Sequence, residues 1–255
     1  MAKKNIAKNE NADEHLNLKP LVLSALFAAL TAAVAQIKIP LGFTPVPITL
    51  QTLLVLLAGA ILGPYYGAMS MTIYLALGAI GLPVFAGGSG SIAAFFGPTG
   101  GYLLSYPVAA FAVGKILENK RNKFLKYFSF FAIVSLVAIV AADSIFKIGV
   151  IPFLLKISDR VRLMVIVLSI FVLLLLFLMV YAKKYFPADI VLAMLAATLI
   201  IYAMGALHGK IVTKLPWSAI FVGWVLPFIV GDVIKLLIAA WIADNAVKGL
   251  IKIKY

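Results

Sequence analysis

GAIGLPVFAGGSGSIAAFFGPTGGYLLSYP, residues 78–107, is the stretch on which the fold turns. It is too apolar for a solvated loop and too rich in Gly and Pro for one continuous helix. Around it lie long apolar runs, of the length that marks bilayer-spanning helices rather than alternating barrel strands. Irregular backbone at membrane depth persists only where protein or a water-filled cavity satisfies its polar groups. Transporters tend to place binding sites at such Gly/Pro-interrupted segments. The break therefore predicts the lining of a pocket.

Composition supports this frame. The 255 residues are 64% hydrophobic and 12% charged, with a mean hydropathy of +1.11. Soluble domains carry about twice that charge, so the chain reads as an all-α, polytopic membrane helical bundle. Without cysteine it has no disulfide framework, zinc–thiolate cluster or thiol nucleophile. The net charge of +13 comes from Lys and Arg that flank apolar runs. That pattern sets topology in a lipid bilayer and argues against a nucleic-acid partner.

Upstream of the break, residues 1–19 are polar and lack an apolar signal core, which reads as a cytoplasmic tail. A first helix is predicted over 21–37. Ala25, Ala28, Ala29, Ala32 and Ala33 give it a small-residue stripe that lets another helix approach closely. That helix lies either in this chain or in a separate subunit. KIPLGFTPVP, residues 38–47, is a three-proline loop whose fixed φ angles favour an extended, semi-rigid cover. Helices over 48–62 and 65–80 are separated by Gly63-Pro64, a stop signal that predicts a tight hairpin.

Within the break, Gly87, Gly88 and Gly90 let backbone approach a ligand without Cβ obstruction. Pro98-Thr99-Gly100-Gly101 opens a helix over 101–117, with Thr99 as a candidate cap and free N–H groups that attract an anion. Residues 115–126 carry five basic residues and one acid, a cytoplasmic loop. Apolar runs over 127–145 and 163–181 predict two further helices, and 189–207 another. Residues 208–215 read as a basic outer loop. A short outer helix ends before Pro227, and the last helix runs from there to Asp244. With eight helices and both termini inside, 14 of the 22 basic residues fall on the cytoplasmic side and seven outside. Lys235 is left within the membrane.

Asp232 and Lys235 lie in IVGDVIKLLI, three residues apart and so on one helix face. A charge at membrane depth costs at least ~2.5–3.5 kcal/mol and is by default a functional-site hypothesis. A structural ion pair is the plainer alternative. Beside a glycine-rich cavity, the carboxylate and ammonium offer an acceptor and a donor to a ureido-like or amide-bearing solute. Tyr74, Tyr102, Tyr106 and Tyr202 are candidates to line the same pocket, or else core and interface tyrosines. No phosphate-binding loop, zinc-protease motif, nucleophile elbow or cluster of intramembrane carboxylates occurs. The residues describe a binding site without an engine, and not an enzyme.

Four ordered blocks carry a resemblance to a known family: PVPITLQTLLVLLAGAILGP at 45–64, YLALGAIGLPVFAGG at 74–88, GPTGGYLL at 97–104 and PFIVGDVIK at 227–235. The chain resembles the BioY family, the biotin-specific S components of energy-coupling-factor (ECF) vitamin transporters. The resemblance implies a six-helix core at 20–117 and 188–244, which captures biotin from outside and has no ATPase of its own. It leaves 118–187 as an inserted segment with two predicted helices and 245–255 as a cytoplasmic tail.

Further implications are residue-specific. Ala25, Ala29 and Ala33 would dock on an EcfT-type transmembrane coupling subunit carrying two ATPase subunits. Asp232 and Lys235 would hold the ureido ring, with Gly88, Ser89, Gly90 and Tyr102 around the ligand and the Phe43 loop as gate. Biotin is thus a transported substrate and no cofactor is implied. The family commonly has a basic or amide side chain where this chain has Ser89. That leaves Ser89, the N-terminus of the helix opened by Thr99, or Lys210 as partners for the biotin carboxylate. A different vitamin or vitamin-like solute is the alternative substrate.

Overall fold

The computed structural model describes residues 18–118 and 188–249, with single positions at 159, 163, 166, 167 and 170 between them. Residues 1–17 of the predicted tail, the predicted helix over 127–145, all but four positions of the predicted helix over 163–181, and residues 250–255 of the C-terminal tail lie outside the described residues. Helix α1 spans Leu18–Ala35 and leads into a two-stranded antiparallel hairpin, β1 (Lys38–Ile39) and β2 (Ile48–Thr49). Helix α2 follows over Gln51–Ala79, then α3 over Gly100–Glu118, α4 over Ala188–Thr213, a single turn α5 over Trp217–Ile220, and α6 over Ile229–Gly249. Among the described residues, five helical runs are long and apolar enough to cross a membrane, counting 217–246 as one.

α2 is two limbs. Gly63 sits at φ 79° and ψ −175°, a conformation open to glycine, and Pro64 follows it. A straight helix would hold Gln51 and Tyr74 about 35 Å apart. Instead Gln51 Nε2 donates to the Tyr74 hydroxyl at 2.5 Å. The limbs therefore fold back on each other as the Gly63-Pro64 pair predicts. Gly67 lies so close to the first limb that an added Cβ would sit 2.9 Å from the Ala58 carbonyl oxygen.

Small residues set the remaining packing distances. A Cβ on Gly59 would run into the Ala110 carbonyl of α3, and one on Gly114 of α3 would meet the backbone at Gly63-Pro64. Ala58, Ala109, Ala110, Ala193, Ala197, Ala239 and Ala240 are all buried in the common core of α2, α3, α4 and α6. In a lipid environment, where apolar surface gains little by leaving the tails, close approach of this kind is what holds helices together. α1 packs on the second limb of α2, where Ser24 Oγ donates to the Tyr66 carbonyl at 3.1 Å.

Three expectations are corrected. The helix expected from 48 begins at Gln51: Ile48 and Thr49 instead pair with Ile39 and Lys38 in a β-ladder, which clamps the loop over 38–47 and satisfies its flanking backbone groups. Residues 208–213, expected as an outer loop, continue α4 to Thr213, and His208 lies inside that helix with Nε2 3.1 Å from the Gly97 carbonyl oxygen. Finally, Pro227 does not separate two helices. It is absorbed by a π-turn over Phe221–Val225 and a 3₁₀ turn over Leu226–Phe228, which keep one helical path while accommodating the missing N–H.

Candidate functional site

One end of the bundle holds a cavity of about 270 Å³. That is near the lower bound of small-molecule sites, about 300 Å³. The hairpin loop covers it with Pro40, Leu41, Thr44, Pro45, Val46 and Pro47, and the start of α2 contributes Gln51 and Thr52. The broken segment adds Phe85, Ala86, Ser89 and Ala94. Tyr102 and Tyr106 come from α3, Tyr202 from α4, and Asp232 with Lys235 from α6. The loop is held over the cavity by its own turn, in which Thr44 N donates to the Leu41 carbonyl and Thr44 Oγ1 accepts from Val46 N.

The polar floor is closely bonded. Asp232 and Lys235 are 7% and 8% exposed, and Lys235 Nζ lies 2.5 Å from Asp232 Oδ1. The ammonium also donates to the Thr49 carbonyl at 2.9 Å and to Thr52 Oγ1 at 3.1 Å. Its three donors are thus all used. Asp232 Oδ1 accepts a second bond from Thr52 Oγ1 at 3.2 Å, and Oδ2 accepts from the Tyr202 hydroxyl at 2.5 Å. Of roughly four acceptor positions on a carboxylate, three are filled, and the fourth, on Oδ2, is left for a ligand donor. Buried charges endure only when paired and bonded in this way.

Aromatic side chains form the walls. The Tyr102 hydroxyl donates to the Trp224 carbonyl, inside the π-turn of the last helical run. Its ring lies flat on α4 because Gly205 has no Cβ to meet it. Tyr106 stacks on Tyr74 with ring centroids 6.5 Å apart, and its hydroxyl has no hydrogen-bond partner among the described residues. Phe85 packs edge-on against Tyr74 and Phe95, over Gly78, where a Cβ would collide with its ring.

Of the residues singled out in the sequence, Asp232, Lys235, Tyr102 and Ser89 line the cavity together. Gly88, Gly90 and Phe43 do not. Gly90 is pressed against the Leu82 carbonyl, so its small size serves the fold of the loop itself. Gly88 faces the Gln36 side chain, and Phe43 points outward at 66% exposure, while its neighbours in the loop provide the cover. Lys210 donates to the Leu215 carbonyl at 2.7 Å and is no part of the lining. Ala25, Ala29 and Ala33 share an exposed face of α1, whereas Ser24, Ala28, Thr31 and Ala35 face the bundle.

Sequence reasoning missed Thr49, Gln51 and Thr52, and with them Lys38. The available signal was Thr49, Gln51 and Thr52 crowded at the head of an otherwise apolar run, polar groups that the bilayer would reject without partners.

A family model described as the BioY family matches residues 7–185 and 165–252. A probable biotin transporter BioY of Pyrococcus horikoshii is 52% identical over 99 residues, 39% of this chain and 60% of that protein. A biotin transporter BioY of Rhodobacter capsulatus is 52% identical over 102 residues, 40% of this chain and 53% of that protein. These matches therefore span between half and two thirds of the relatives' length. Among solved structures, the S-component for biotin from an ECF-type ABC transporter superposes with a TM-score of 0.61 at 26% identity, covering 92% of this chain and 94% of that one.

Proposed function

The chain belongs to the BioY family, and on that footing we propose that it captures biotin from the outer side of a cell membrane and delivers it inward. The observation that carries the reading is the Asp232–Lys235 pair at the floor of the cavity. A ureido ring presents a carbonyl oxygen between two N–H donors. The open acceptor position on Asp232 Oδ2 suits one of those donors, and the carbonyl oxygen can take a Lys235 N–H in exchange for one of its present partners. Tyr102 and Phe85 give the fused ring apolar walls, and the proline loop excludes water.

The proposal extends to the whole assembly. Like the ECF-type S component it resembles, the chain is energised by separate subunits, a transmembrane coupling subunit of the EcfT type and two ATPases. The exposed Ala25, Ala29 and Ala33 face of α1 is the docking surface, since small side chains admit a partner helix at short range. The core at 20–117 and 188–244 counts six helices when the limbs of α2 are taken separately, with both termini cytoplasmic. The basic residues favour that orientation. The chain itself performs no chemical conversion.

Titration calorimetry of the detergent-solubilised protein with biotin tests the reading. We expect saturable binding by wild type and its loss in Lys235→Ala. Folded wild type that binds lipoate or thiamine but leaves biotin unbound would overturn it.

A further inference from the structure

The cavity lining contains a second cation, and the floor does not use it. Lys38 stands at the rim on β1, solvent-exposed, and its ammonium makes no ion pair or side-chain hydrogen bond among the described residues. Among the described residues Asp232 is the sole carboxylate in the lining, and it is already matched by Lys235. The rim is therefore left with one unneutralised positive charge facing a cavity whose deep end is balanced.

The position of that charge is built on two sides. Lys38 is paired in register with Thr49, and the Thr49 carbonyl is the acceptor that receives Lys235. One strand pair thus fixes the distance between the deep cation and the rim cation. On the other side, the Lys38 stem lies across Gly87: a Cβ there would run into Cδ, Cε and Nζ of the lysine. Gly87 holds φ +71° and donates its N–H to the Ala35 carbonyl at 2.9 Å, which ties the broken segment to the end of α1 just before Lys38. The glycine thereby serves the lysine, keeping its side chain low over the cavity mouth.

We propose that Lys38 anchors the anionic end of the ligand, a monocarboxylate whose neutral polar head sits on Asp232 and Lys235. The inference rests on the biotin reading and adds to it the residue that selects the free acid. A charge-assisted hydrogen bond at this point gives the acid an advantage of about 10-fold over a neutral ester. Calorimetry with biotin and biotin methyl ester, on wild type, Lys38→Met and Lys38→Arg, reads this directly. Wild type is expected to prefer the acid, Lys38→Met to lose that preference by weakening the acid alone, and Lys38→Arg to restore it. Equal weakening of acid and ester in Lys38→Met would reduce Lys38 to a packing role and overturn the proposal. Acid and ester bound equally by wild type would do the same while leaving the biotin reading intact. Folded wild type that binds neither would remove both.

Discussion

The two ends of the cavity are built on opposite principles. At the floor, Lys235 and Asp232 are buried, and their own ion pair together with Thr49, Thr52 and Tyr202 takes up all but one of their hydrogen-bonding positions. At the rim, Lys38 is exposed, has no ion-pair partner among the described residues, and is held by a strand register and a glycine. A buried charge must be bonded before any ligand arrives, because desolvation without compensation costs several kcal/mol. An exposed charge has water in place of partners and remains available. In the proposed function the floor therefore serves both stability and recognition, and the rim serves recognition alone. Substitutions at the two ends should consequently separate folding from binding.

The largest expected effect is at the floor. Lys235→Ala leaves Asp232 buried without its cation, a change worth about 3–5 kcal/mol. Both the melting temperature and biotin affinity should fall, the latter by more than about 100-fold. A variant that melted normally and still bound would erase the distinction between the ends. Next comes Tyr202→Phe, which deletes the bond to Asp232 Oδ2. About 1.5–3 kcal/mol is at stake for a bond to a charged group, visible in thermal unfolding without ligand as well as in calorimetry. Tyr106→Phe sharpens the contrast from the other side. Its hydroxyl has no partner among the described residues, so stability should hold, and affinity should drop by about 2- to 10-fold if the ligand bonds it.

The smallest effect on binding belongs to the proposed docking face. Ala29→Leu, on an exposed surface of α1, should leave biotin affinity within about 2-fold. Uptake by cells that supply the coupling subunits should nevertheless fall, because a bulkier side chain keeps the partner helix away. Unimpaired uptake would move the docking surface elsewhere.

Several of these residues were legible before any coordinates. The Asp232–Lys235 spacing alone placed both groups on one face, since side chains three apart on a helix are neighbours. The Gly63-Pro64 break announced the hairpin, because proline removes a helical donor and glycine accepts a positive φ. The glycines between 87 and 90 marked irregular backbone correctly. Their assignment to the ligand did not carry over to the lining at Gly88 and Gly90, because a missing Cβ serves a ligand, a carbonyl or a neighbouring lysine equally well, and the sequence does not say which. At Gly90 the neighbour is the Leu82 carbonyl, and at Gly87 it is Lys38.

What the sequence determined by itself was the class of molecule. Apolar run length, the basic flanks and the four ordered blocks required a helical membrane protein with a pocket at the broken segment, because each of these is a local property of the chain. The tertiary structure decided which groups meet in that pocket. Thr52 reaches Asp232 across 180 residues, Tyr202 reaches it across 30, and the β1–β2 register carries Lys38 to the rim. Such meetings depend on how helices settle against one another at small-residue seams, a global balance of packing that local spacing does not encode.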